Sequence, residues 1–220
     1  MSNSACVIFD LDGTLIESEQ VWRDVRHEFV VAQGGRWHDG AQAAMIGMRT
    51  QEWASYIHET LGVALSTEEI ARRVVASVVE RLAEVPILPG SEAALERLAG
   101  AFRLGLATSA ARPVAESVLA RTGWDKFFGT VVSADDVDRG KPAPDVYLRA
   151  LSLMKGEPAR TAAVEDSTNG IRSAHAAQLA VVAIPNREFP PDAEALALAS
   201  RVLTNLDALD AGVVRSAIEG

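Results

Sequence analysis

Hydrophobic and polar positions along this chain fall into two textures. From about residue 90 onward, short apolar runs at 103–107, 130–132, 161–164 and 180–184 alternate with helical spacing at 91–98, 114–121, 145–153 and 170–177. A weaker strand pattern at 201–203 precedes a helical tail. Strand, helix, strand in succession predicts right-handed crossovers and a parallel sheet covered by helices on both faces. The apolar run 5–9 has the character of this sheet but is separated from it in sequence. The intervening stretch, 17–84, has no β-branched run bounded by turns. Trp22, Val25 and Phe29 recur at helical spacing and Gly34-Gly35 closes their segment. Ser66 and Glu69 form a capping box, and Ile70, Val74, Val78 and Leu82 follow as a stripe four residues apart. The pattern predicts an α/β protein, a doubly wound parallel sheet carrying an all-helical insertion. Residues 1–16 plus 86–220 make the first unit and 17–85 the second. The connections at 16–18 and 85–90, the latter with Pro86, Pro89 and Gly90, make a hinge.

Composition narrows the partners. With 48% hydrophobic residues in 220, one good core and a small second unit are expected. Thirty acidic residues against 21 basic leave a net charge of −9, which argues against nucleic acid. An anionic small substrate is compatible only where a metal or a lysine reverses the local field. No apolar run approaches the ~20 residues that span a bilayer. Residues 1–5 show no basic segment before an apolar one, so no secretory leader is expected. The single cysteine, Cys6, reads as a small buried hydrophobe of the first strand. These features predict a cytoplasmic protein without membrane contact, a monomer or weak homodimer.

Chemistry concentrates at the predicted strand ends, where ligands bind in parallel α/β sheets. After the first strand come Asp10, Leu11, Asp12, Gly13 and Thr14. Two carboxylates so close are costly unless a cation or a reacting group sits among them, although Asp-Gly alone is a common turn. Thr108 and Ser109 follow the second apolar run and could be simple caps. Lys141 is flanked by Gly140 and Pro142, which fix its backbone; a solvated lysine is the plainer alternative. Glu165-Asp166-Ser167 follow another strand, where helix-start acids are also favoured. Two acid pairs on one rim repel unless a divalent cation joins them, and oxygen-only ligands suit Mg²⁺. Hydroxyls, a lysine and Mg²⁺ are together the parts that hold a phosphoryl group.

These four motifs, in this order, resemble those of the haloacid dehalogenase superfamily, and the resemblance covers nearly the whole chain. Asp10 to Thr14 is similar to its first motif, Thr108-Ser109 to its second, Lys141-Pro142-Ala143-Pro144-Asp145 to its third and Glu165-Asp166-Ser167 to its fourth. The resemblance implies a Rossmann-like core with an inserted helical cap, like that of β-phosphoglucomutase and many sugar-phosphate phosphatases. It implies that Asp10 is the nucleophile, forming an aspartyl-phosphate, and that Asp12 handles the proton of the leaving alcohol and of water. Thr108, with the N–H of Ser109, would bind phosphoryl oxygens, and Gly13 would let backbone approach the phosphate. Lys141 would neutralise charge, and Mg²⁺ would rest on Asp10, Asp12 (through its carbonyl), Glu165 and Asp166. A carboxylate at Asp12 speaks for an oxygen leaving group rather than a halide. The absence of lysine from 17–84 speaks against imine-forming phosphonate chemistry. Gln178 stands where the family commonly has glycine and Glu17 where aspartate is frequent.

Specificity is expected from the insertion. Arg49, in Gly47-Met48-Arg49-Thr50, matches in position a cap loop that contacts sugar phosphates, though an exposed arginine at a helix start fits equally. Trp22, Trp37, Trp53 and Trp124 could stack on sugars, though helical positions favour core or lid packing, and the four histidines show no ligand spacing. The expected activity is phosphatase action on a small phosphorylated metabolite, a sugar or polyol phosphate. A phosphosugar mutase shares every catalytic residue, and a phospho-acceptor signalling domain is the alternative from another class.

Overall fold

The computed structural model describes residues 5–220 apart from the side chain of Glu84; residues 1–4, on which the expectation of no leader partly rests, lie outside it. Six strands, β1 (Cys6–Phe9), β2 (Arg103–Ala107), β3 (Phe128–Val132), β4 (Thr161–Glu165), β5 (Ala180–Ala183) and β6 (Arg201–Val202), form one sheet ordered β3-β2-β1-β4-β5-β6. Every pair is parallel. The order is Rossmann-like, and it reverses direction at β1 and β4, so the carboxyl ends of these two central strands flank the binding crevice. β3 begins two residues before its apolar run at 130, because Phe128 packs edge-on against Phe9 with ring centres 6.3 Å apart. β6 keeps only two paired residues of the expected three.

Between β1 and β2 the chain forms α1 (Glu19–Ala32), α2 (Ala41–Met45), α3 (Thr50–Glu59) and α4 (Thr67–Arg81). Ser66 Oγ accepts from the Glu69 N–H, as the capping box predicts. Ile70, Val74 and Val78 are buried along α4, and Trp22, Val25 and Val30 along α1. The two connections to the sheet pair with each other: Glu17 N–H donates to Pro86 carbonyl (2.9 Å) and Leu88 N–H to Leu15 carbonyl (3.0 Å).

The later helices are α5 (Ser91–Ala99), α6 (Arg112–Thr122), α7 (Asp145–Met154), α8 (Thr168–Ala176), α9 (Ala193–Leu196) and α10 (Ala211–Ile218). The short α9, capped by Asp192, is absent from the periodic pattern. Val7 and Phe9 of β1 face a core built with α5, α6 and α10, while Cys6 and Ile8 face a second core built with α7 and α8. The first core runs on without a break into the apolar faces of α1, α3 and α4. Gln178 closes the turn after α8 with a left-handed φ of 62°, the conformation glycine adopts most easily. Among the described residues, no helix is long and apolar enough to cross a membrane.

Candidate active site

The chain ends of β1 and β4 meet at one buried cluster. Oxygens of Asp10, Glu165 and Asp166 all lie within 4.8 Å of one another. Lys141, from the loop before α7, reaches into this cluster: its Nζ donates to Asp10 Oδ1 and to Glu165 Oε1, both at 2.6 Å, and to the Ala107 carbonyl at 3.2 Å. Tyr147 on α7 also donates to Glu165 Oε1 (2.6 Å). Glu165 Oε2 accepts from the Asp166 N–H (3.2 Å) and from the Ser167 hydroxyl (3.4 Å). Glu165 is thus committed on both oxygens, and it anchors Lys141. Two glycines make the crowding possible. A Cβ on Gly13, whose φ is +80°, would lie 2.1 Å from Asp166 Oδ2. A Cβ on Gly170 would lie 1.8 Å from Glu165 Oε2.

Charge in this cluster is poorly solvated. Burial raises Asp10 to about 8, against the pull of Lys141 and with the push of Glu165 and Asp12. Burial and the neighbouring Glu165 and Asp10 charges hold Asp166 well above the usual carboxylate range. Burial alone would depress Lys141, but Asp10 and Glu165 raise it above its ordinary value. One ammonium for three carboxyls leaves the cluster short of positive charge. Its donor set is all oxygen, with no histidine or thiolate, which fits a hard divalent cation such as Mg²⁺.

Asp12 points elsewhere. Its Oδ1 accepts from the Ser18 hydroxyl and from Trp22 Nε1 (3.2 Å), and its Oδ2 from Thr108 Oγ1 (3.3 Å). Its carboxylate stands outside the acidic cluster, so the two aspartates of the first motif occupy different environments. Thr108, at the end of β2, also accepts from the Ala110 N–H (3.0 Å). Ser109 Oγ donates to the Gly47 carbonyl (3.0 Å) and Asn169 Nδ2 to the Ile46 carbonyl (3.2 Å), fastening the 46–47 loop onto the sheet rim. A cavity opens beneath this loop. Asp10, Asp12, Lys141 and Asp166 form its floor, while Trp22, Arg26, Met48 and Trp53 roof it.

The expected residues Asp10, Asp12, Gly13, Thr108, Ser109, Lys141, Glu165 and Asp166 therefore converge on one rim. Arg49 does not line the cavity; it pairs with Glu52 and donates through Nη1 to the Val137 carbonyl (3.4 Å) across the junction. Several participants escape sequence reasoning: Ser18 and Trp22 on Asp12, Tyr147 on Glu165, Asn169 on the loop, Glu19 and Arg26 at the cavity, and Gln42 bonded to both of them. Only Trp22 carried a visible signal, its helical spacing, and that pointed to packing.

The doubly wound sheet brings carboxylates, a hydroxyl and a lysine together at its switch point, where sheets of this kind bind ligands. The chain belongs to the haloacid dehalogenase-like hydrolase family, whose model matches residues 5–178. Protein CbbY of Rhodobacter capsulatus is 37% identical over 193 residues, covering 82% of this chain and 85% of that protein. Fructose-1-phosphate phosphatase YqaB of Escherichia coli (strain K12) is 31% identical over 179 residues, covering 81% of this chain and 95% of that protein. A bifunctional riboflavin kinase/FMN phosphatase of Arabidopsis thaliana is 28% identical over 205 residues; the match covers 92% of this chain but 54% of that longer protein. The crystal structure of CbbY from Rhodobacter sphaeroides in complex with phosphate superposes with a TM-score of 0.85 at 26% identity, covering 96% of this chain and 99% of that one.

Proposed function

We propose that the protein is a Mg²⁺-dependent phosphatase that hydrolyses a small phosphorylated metabolite, a sugar or polyol phosphate, through a phosphoryl group carried on Asp10. The observation that carries this reading is the Lys141 ammonium 2.6 Å from Asp10 Oδ1, beside a cavity that also exposes Asp12. The named phosphatases among the relatives support the reaction class.

Lys141 holds Asp10 by Oδ1 and leaves Oδ2 to attack phosphorus. The phosphorus–oxygen bond to the leaving alcohol breaks, and Asp12 supplies the proton that the alcohol carries away. Water then attacks the aspartyl-phosphate, Asp12 takes its proton, and phosphate and free Asp10 are restored. Thr108 and Lys141 bind the equatorial oxygens as charge builds on them. Asp10 and Asp166, with Glu165 bracing the cluster, would hold Mg²⁺, which when bound supplies further positive charge to the phosphoryl oxygens. Residues 17–85 act as a lid hinged where 15–17 pair with 86–88, and closure excludes bulk water from the cavity.

The test is phosphate release by the purified protein with Mg²⁺ across sugar, polyol and nucleotide monophosphates. Wild type is expected to release phosphate, and Asp10→Asn to fold, by circular dichroism, with activity lost by at least about a thousandfold. Undiminished turnover in Asp10→Asn sinks the nucleophile assignment. An isomerised sugar phosphate as the main product sinks the phosphatase outcome in favour of a mutase.

A further inference from the structure

The roof of the cavity carries a buried cation that the proposed reaction does not use. Arg26 on α1 is 5% exposed, and its guanidinium carbon lies 4.6 Å from the Trp22 ring centre and 5.1 Å from that of Trp53. A guanidinium offers five N–H donors. Here Nη1 donates to Gln42 Oε1 (3.3 Å), while Nε is buried without a partner. Gln42 in turn donates through Nε2 to Glu19 Oε2 (3.0 Å), so one amide ties the cation to a carboxylate. Arg26 and Glu19 both line the cavity, as does Asp12. An ionised donor left unpaired in a buried site is costly, so this position calls for an acceptor that a ligand brings.

Two kinds of acceptor suit a guanidinium: a second anionic group, or hydroxyl oxygens. Glu19 discriminates between them. An anion drawn to Arg26 would also meet the carboxylates of Glu19 and Asp12. A hydroxyl needs both a donor and an acceptor, and Arg26 and Glu19 supply one of each. The Trp22 and Trp53 rings add flat apolar surface of the kind that carbon-bound hydrogens pack against.

We infer that Arg26 and Glu19, held in register by Gln42, form a hydroxyl-reading subsite for the leaving alcohol. The enzyme then takes monophosphates of neutral polyhydroxylated chains in preference to bisphosphates. This assignment rests on the phosphatase reading above and adds to it the residues that select the substrate.

The experiment compares kcat/KM for a panel of polyol and hexose monophosphates with that for p-nitrophenyl phosphate, whose leaving group has no further hydroxyl, with fructose 1,6-bisphosphate as the doubly charged arm. Wild type, Arg26→Met and Glu19→Gln are assayed with Mg²⁺. At least one polyhydroxylated monophosphate is expected to outpace both p-nitrophenyl phosphate and the bisphosphate in wild type. The ratio of its kcat/KM to that of p-nitrophenyl phosphate is expected to fall about 30-fold or more in Arg26→Met and about tenfold or more in Glu19→Gln. Ratios within threefold of wild type in both variants overturn the subsite while leaving the phosphatase reading intact. So does a wild-type preference for the bisphosphate that Arg26→Met abolishes. Should Arg26→Met fail to fold, Glu19→Gln at the start of α1 decides alone. A wild type inert toward p-nitrophenyl phosphate and the whole panel overturns the phosphatase reading, and the subsite with it.

Discussion

Replacing Lys141 by Met tests whether the rim is held together by charge balance. Lys141 is 5% exposed, and its ammonium bonds to Asp10, Glu165 and the Ala107 carbonyl. Met is of similar length and apolar, so packing is largely kept and charge is the main loss. Removing one partner of a buried ion pair typically costs about 3–5 kcal/mol, because the other partner is left uncompensated. Here two carboxylates lose their cation, so a value near the upper end is expected. In a chain of this size each kcal/mol moves the melting temperature by roughly 2–4 °C, which gives a drop of roughly 10–20 °C. Calorimetry at pH 7.5 in EDTA measures it. The deficit should shrink as pH falls. Without Lys141 the folded-state pKa of Asp10 rises further above its unfolded value, so the variant loses stability as pH climbs, and protonation relieves it. Millimolar Mg²⁺ should also recover part of the loss, because a cation among the carboxylates replaces the missing charge. A variant that melts within about 2 °C of wild type at pH 7.5 in EDTA would refute this reasoning.

Two further outcomes follow from the same geometry. Gly170→Ala places a Cβ 1.8 Å from Glu165 Oε2, so Glu165 must rotate off Lys141 and Tyr147 or α8 must shift; a loss of about 2–3 kcal/mol is expected by urea unfolding, with Gly100→Ala, nearest neighbour 3.9 Å away, close to neutral. Burial chiefly, with the Asp12 and Glu17 charges, raises Glu19 to about 7 from its ordinary 4.5, despite Arg26 and Gln42. The stability that belongs to this group is then fully present below about pH 4.5 and lost as pH rises through about 7, about 3 kcal/mol in all; Glu19→Gln should lack that slope, and parallel melting curves for the two proteins from pH 4.5 to 8 would contradict it.

The parts legible in the sequence are those whose signal is local. β1, β2, β4 and β5 announce themselves because strands buried on both faces read as continuous apolar runs. Asp10, Thr108 and Glu165-Asp166 were placed because residues at strand ends inherit the strand's position. Lys141 was found through its Gly and Pro neighbours. What stayed hidden depends on contacts remote in sequence. Tyr147 looks like any aromatic on an amphipathic helix until α7 is laid against β4. Arg26 sits one turn after Trp22 and looks like a solvated helix residue, yet the two indoles and Gln42 enclose it. Arg49 shows the opposite case: a motif-like position whose guanidinium serves the junction at Val137 rather than lining the cavity.

The placement of Asp12 ties the sheet and the helical segment together more closely than the motifs suggest. One of its oxygens is held by Thr108 from the sheet, and the other by Ser18 and Trp22 at the start of the helical segment. Ser18 lies beside the pairing of 15–17 with 86–88, and Trp22 also packs against Arg26 and Trp53. Any rotation of the helical segment about that junction must therefore disturb the donors on Asp12, whereas Asp10 is held by Lys141 and by its own N–H to Val164 of β4, with no side-chain donor from the helical segment among the described bonds. On the reading proposed above, the nucleophile Asp10 would belong to the sheet and the proton-handling Asp12 to the interface. In the proposed reaction this division means that attack on phosphorus is prepared at all times, while proton delivery to the leaving alcohol depends on how the helical segment closes over it. A leaving group that fits Arg26 and Glu19 would then be favoured through kcat as well as through binding, since the same helix, α1, carries Trp22 against Asp12 and Arg26 in the roof.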